Sequence, residues 1–185
     1  MKIFSRSYFQ NLLNSAAQSK RLRMHANVHN AHSEPCQKLF NAINLDSYIR
    51  PHRHALDPKD ECLIAIKGLF ALIIFSDDGA VESITLFGSE KYSESLSIAS
   101  GLEIFAGTWH TVVALLDESI LFEAKSGPFD PASAKEFAPW APEEESNDST
   151  EYLFSLRQKS LELLSTSKVG SSVGMSINDI SIPTV

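Results

Sequence analysis

The sequence is poor in cysteine, in basic residues and in long apolar runs. Cys36 and Cys62 are the only two cysteines among 185 residues. Two cysteines build no disulfide framework, and these two lack the spacing of a zinc site. The chain therefore reads as a protein of a reducing, cytoplasmic compartment. No apolar run approaches the ~18–20 residues of a membrane span, which argues against a membrane partner. Lys and Arg number 16 against 23 Asp and Glu, for a formal net charge of −7. The shortage of base is local: residues 26–142 carry 8 bases and 16 acids, and residues 143–185 carry 3 and 7. An acidic body of this kind argues against a phosphate-backbone binder, so nucleic acid is not expected as a partner.

What is present suits a globular chain, with 43% hydrophobic and 21% charged residues. That length gives one domain with appendages and a sizeable core. Residues 1–25 carry five bases and no acid. This start superficially resembles an organelle transit peptide. Phe4, Tyr8, Phe9, Leu12, Leu13, Ala16 and Ala17 recur at helical spacing, however, and predict an amphipathic helix within residues 1–20. Ser33, Glu34 and Pro35 look like a helix start, which predicts a short helix over 34–43. Thereafter short segments rich in β-branched and aromatic residues follow: "SYIRPHRH", "ECLIAIKG", "LFALIIFSDDG", "AVESITLFG", "SLSIASG", "LEIFAG", "WHTVVALLD" and "SILFEAKSG". Their spacing and turn residues predict an antiparallel sandwich or barrel. Residues 150–167 predict one more helix, and the Ser/Gly-rich end from Ser165 onward is expected to be loosely ordered. No internal repeat is found.

Side chains alternate along a strand, so parity assigns faces. In 47–54, Tyr48, Arg50, His52 and His54 share one face, and Arg53 points the other way. In 109–116, His110 shares a face with Val112 and Ala114; in 119–125, Leu121, Glu123 and Lys125 share one. A buried polar face must be satisfied by partners. Two imidazoles from one strand, the carboxylate of Glu61 from the next and the imidazole of His110 from a distant one suit a single divalent ion: Zn, Fe, Mn, Ni or Cu. His25, His29 and His32 read as surface or hydrogen-bonded histidines. Gly68 and Gly107 fall where the chain must turn tightly, and glycine allows positive φ there.

These intervals resemble the two cupin motifs. His52-x-His54 is followed by Glu61-x6-Gly68, with the insert "ALDPKD" longer than usual. Gly107-x2-His110 matches the second motif, while Phe105 stands for its proline and Ala114 for its asparagine. More narrowly, "SYIRPHRH", "KDE", "GTWHTVVAL", "FEAKSGPF" and "KEFAPWAPEE", with Asn27, His29 and Gln37, resemble the WbuC-type cupin-fold metalloproteins over about residues 21–145. The extension 146–185 lies outside that likeness. The resemblance implies a mainly β, cupin-type double-stranded β-helix (a jelly-roll barrel) with flanking N- and C-terminal helices. It implies one divalent transition metal (Fe, Zn, Mn or Ni) on His52, His54, Glu61 and His110, and an association with O-antigen and related polysaccharide genes.

Around such an ion the expected residues are Glu123 and Tyr48 as catalytic groups, with Arg50, Lys59 and Lys125 holding an anionic small molecule such as a nucleotide sugar. The plainer alternatives are that Glu123 and Lys125 pair across the sheet, that Arg50 satisfies a carbonyl at the rim, and that Lys59 is solvated. Trp109 and Trp140 are expected in the core, and "GPFDP" and "PWAP" in loops over the barrel. Two function classes follow: a metal-dependent isomerase, epimerase, lyase or oxygenase, or a non-catalytic binding protein with a regulatory or scaffolding role. A homodimer, with the N-terminal helix as a candidate interface, is expected by analogy.

Overall fold

The computed structural model describes residues 1–167. The expected loose order from Ser165 onward falls largely outside the described residues. In chain order the elements are α1 (Arg6–Gln18), β1 (Arg23–Asn27), β2 (Cys36–Ile43), β3 (His52–Arg53), β4 (Glu61–Lys67), β5 (Leu69–Phe75) and β6 (Val81–Gly88). They continue with α2 (Glu90–Leu96), β7 (Gly101–Ile104), β8 (Trp109–Ala114), β9 (Ser119–Ser126), β10 (Glu136–Phe137) and α3 (Asp148–Ser167). Two five-stranded antiparallel sheets form, in the orders β1-β2-β9-β4-β7 and β10-β3-β8-β5-β6. Consecutive strands alternate between the sheets at most steps, so the chain winds as a double-stranded β-helix, mainly β with flanking helices.

Three apolar clusters follow from the alternation. Inside, Ile43, Leu63 and Leu121 of the first sheet meet Phe70, Leu72 and Val112 of the second. Outside the second sheet, Leu69, Ala71, Ile73 and Val113 are covered by Leu153, Leu156 and Leu164 of α3. Outside the first, Phe40, Ala42 and Ile120 are covered by Leu12, Leu13 and Ala16 of α1. Ser5 caps α1 by accepting from the Tyr8 amide at 3.2 Å. The predicted N-terminal helix therefore forms, and Leu12, Leu13 and Ala16 of its apolar stripe pack on its own sheet.

Two expectations are corrected. Residues 36–43 form a strand, not a helix, because Cys36–Ile43 pairs along its length with β9 and its Leu39–Ile43 half with β1. Both faces of β2 are largely covered, and this hides the alternation that would have marked a strand. The segment "SLSIASG" begins inside α2 and contributes one isolated bridge, Ala99 with Phe87, where a strand was expected.

Gly68, between β4 and β5, has φ +90°. A Cβ there would lie 2.1 Å from Ser119 Oγ and 3.0 Å from Ser119 Cα. Gly68→Ala adds backbone strain to a clash with a fully buried residue. It is expected to cost about 2–4 kcal/mol, read as a lower denaturation midpoint at unchanged m-value. A wild-type midpoint would refute this account of the turn.

Candidate metal centre

β3 and β8 place His52 directly opposite His110, and β4 and β9 place Glu61 opposite Lys125. His54 follows β3 and is held by the loop before β10. One ligand atom from each of His52, His54, Glu61 and His110 lies within 4.8 Å of the others, and all four residues are buried. The structure thus brings the four sequence-predicted ligands together.

The chemistry of the donor set is fixed by the backbone. His52 Nδ1 lies 3.0 Å from Arg50 O, His110 Nδ1 2.8 Å from Thr108 O, and His54 Nδ1 bonds Ala134 O. A carbonyl oxygen only accepts, so each neutral ring carries its proton on Nδ1 and presents a lone pair at Nε2. His54 Nε2 lies 3.0 Å and His110 Nε2 3.5 Å from the Glu61 carboxylate. Lone pairs then face carboxylate oxygens in a buried place, and His54 Nε2 has no hydrogen-bond donor or acceptor. Such an arrangement is satisfied by a cation, so the residues fit a metal ion. Burial, with Lys135 and His110 nearby, pushes the His52 pKa well below its ordinary value, which keeps that ring neutral. Burial raises the Glu61 pKa, but the groups around it, the Lys125 ammonium at 2.7 Å among them, oppose burial and hold the carboxyl well below the usual range.

Behind Glu61 runs a chain of bonds. Lys125 Nζ donates to Glu61 Oε1 at 2.7 Å and pairs with Glu123 Oε1 at 2.8 Å; Asn41 Nδ2 donates to Glu123 Oε2 at 2.8 Å. Burial lowers the Lys125 pKa, but Glu123 and Glu61 outweigh it and raise the value. Lys125 is therefore committed to two carboxylates, and the plain pairing reading of Glu123 with Lys125 describes them.

A cavity of about 880 Å³ opens from the cluster. Arg50, Glu123 and Lys125 line it; Tyr48 and Lys59 do not. Tyr48 is buried in the outer core, where its hydroxyl donates to Pro142 O at 2.9 Å and burial raises its pKa. The expected parity fails because only His52–Arg53 of the 47–54 segment is regular strand. Lys59 instead ties the "ALDPKD" turn down through Asp57 at 2.5 Å and the carbonyl of Pro128. Arg53 does point away: it forms two 2.9 Å bonds to Glu136 and lies 4.3 Å over the Trp109 ring. Trp109 and Trp140 pack with the outer core as expected. His25, His29 and His32 line the cavity but stand outside the ligand cluster. Sequence reasoning missed Lys135, which also lines the cavity. The sequence carried no periodic signal for it, because only Glu136–Phe137 of this stretch is strand.

A family model described as a domain of unknown function (DUF6016) matches residues 4–87, a stretch that includes three of the four clustered residues and ends before His110. No curated protein matches the chain. Among solved structures, the chain is similar to an uncharacterized conserved protein with a double-stranded β-helix domain from Klebsiella pneumoniae (12% identity, 75% of this chain and 97% of that one, TM-score 0.48). It is similar to KdgF from Halomonas sp. (16%, 60% and 82%, 0.42). It is also similar to the capsular polysaccharide assembling protein CapF from Staphylococcus aureus (14%, 64% and 32%, 0.46). No helix among the described residues is long and apolar enough to cross a membrane.

Proposed function

We propose that His52, His54, Glu61 and His110 hold one divalent transition metal ion, of the Fe, Zn, Mn or Ni group, and that the protein is a metal-dependent enzyme acting on a small molecule in the adjoining cavity. The observation that carries this reading is the convergence of three backbone-oriented imidazole lone pairs and one carboxylate on a single buried point. When bound, such an ion supplies Lewis acidity toward a carbonyl or hydroxyl oxygen, or toward water or dioxygen. The chain's own residues prepare the place. Lys125 keeps Glu61 ionised and fixes its orientation, and Glu123 and Asn41 fix Lys125 in turn. Apolar walls from Leu63, Val112 and Leu121 limit water beside the cluster.

The likeness of residues 21–145 to WbuC-type cupins supports a nucleotide sugar or polysaccharide precursor as the first substrates to try. Isomerisation, epimerisation, elimination of the lyase type and oxygenation are the reaction classes. One observation favours the second reading, a non-catalytic binding protein: Glu123 and Lys125, the acid and base nearest the cluster, are bonded to each other. The experiment is incubation of metal-loaded protein with a panel of nucleotide sugars, first without oxygen and then with it. Turnover is the expected result. Saturable binding with no turnover in either atmosphere sinks the enzyme and leaves the binding protein.

A further inference from the structure

The charged groups of the cavity are mostly paired among themselves. Arg23 bonds Glu144 at 2.5 Å, and Lys125 bonds Glu61 and Glu123. Two cations remain. Lys135 lines the cavity and has no hydrogen-bond or ion-pair partner among the described residues. Arg50 gives one Nη to Ala138 O at 2.9 Å, meets the exposed Glu143 only at 3.8 Å, and leaves its buried Nε without a partner.

Both cations line the cavity next to residues of β10: Lys135 precedes Glu136, and Arg50 lies over Phe137. Glu136 opposes Arg53 and bonds it on the outer side, while Lys135 before it and Phe137 after it line the cavity. Phe137 opposes His52 in register and lies 5.6 Å under the Arg50 guanidinium. Ala134, next to Lys135, supplies the carbonyl that orients His54. Lys135 therefore stands on the same short segment as the groups that build the ligand cluster. Lys135 is exposed to solvent where it lines the cavity. The buried Arg50 Nε lacks an acceptor and an unpaired ammonium lines the same cavity; an oxyanion supplies that acceptor, and the planar guanidinium binds it with directed bonds.

We propose that Lys135 and Arg50 form an oxyanion subsite that takes the carboxylate or phosphate group of the small molecule bound beside the His/Glu cluster. This rests on the cavity being a ligand site, and it moves the anion contact expected of Lys125 and Lys59 to Lys135. The nearby run Glu143, Glu144 and Glu145 also lines the cavity, which disfavours an extended polyanion such as a nucleic-acid strand.

The test is calorimetric titration of the metal-loaded full-length chain with inorganic phosphate, with acetate and, as a neutral control, with glycerol. Wild type is expected to bind at least one oxyanion saturably and to ignore glycerol. Lys135→Ala is expected to weaken that binding about tenfold or more at unchanged metal content. Lys135→Arg, which keeps the charge, should stay within a few-fold of wild type, and Lys59→Ala should match it. Equal oxyanion affinity in Lys135→Ala and wild type overturns the inference, as does a wild type that binds neither anion at millimolar concentration. Metal content of the wild type decides the metal reading separately. Oxyanion binding by metal-free protein that still depends on Lys135 upholds the subsite even where that reading falls.

Discussion

His110→Ala is expected to emerge from purification without stoichiometric metal. His110 comes from β8, on the far side of the ligand cluster from Glu61, and its Nδ1 is already committed to Thr108 O. The remaining Nε2 has no other role in the fold. Losing even an outer partner of a metal ligand costs ~10–100-fold in affinity, so losing the ligand is expected to cost more than about 100-fold. His52→Ala should behave alike, because His52 faces His110 across the sheet with ring centroids 4.6 Å apart. His25→Ala is the matched control: it lines the same cavity but lies outside the cluster. Elemental analysis after dialysis reads the result. Equal metal in all three variants refutes the ligand assignment.

In the metal-free protein, Lys125→Met is expected to destabilise the fold by about 3–5 kcal/mol, because it leaves the buried Glu61 and the half-buried Glu123 without their shared cation. The loss should also change shape with pH. In the wild type, Glu61 has a folded pKa held below its unfolded value of ~4.3. Its contribution is thus fully present above that pH and disappears as acid passes through the folded value. Without Lys125, the neighbouring Glu123 charge repels Glu61 and raises its pKa, so the acid limb of the stability curve moves to higher pH. Denaturant titrations across pH 3–7 measure both effects. A variant with wild-type stability and an unmoved acid limb would show that the Glu61–Lys125–Glu123 chain carries little.

The ligand cluster was legible because its signal is local and periodic. His52-x-His54 is a compact motif, Glu61 and His110 each lie within seven residues of a glycine that turns the chain, and Gly68 and Gly107 do take positive φ of 90° and 80°. What failed did so where alternation was masked or absent. β2 is covered by α1 outside and faces the barrel inside, so a Ser-Glu-Pro start outweighed a pattern that burial had blurred. Tyr48 was assigned by counting along a segment that is regular for only two residues. Lys135 lies in a proline-bounded stretch, where no period announces that a two-residue strand will pair with β3. Long-range pairing, which a single sequence does not display, made that lysine part of the cavity.

The three imidazoles are oriented by carbonyls of Arg50, Ala134 and Thr108, not by side chains. A carbonyl is present whatever residue occupies the position. Drift at Arg50, Ala134 or Thr108 therefore leaves the orienting bonds intact so long as the main-chain path holds. Substitution can then retune the cavity wall, Arg50 and Lys135 included, while the histidine geometry is inherited unchanged. A cluster built this way is a fixed chassis on which ligand preference can diverge.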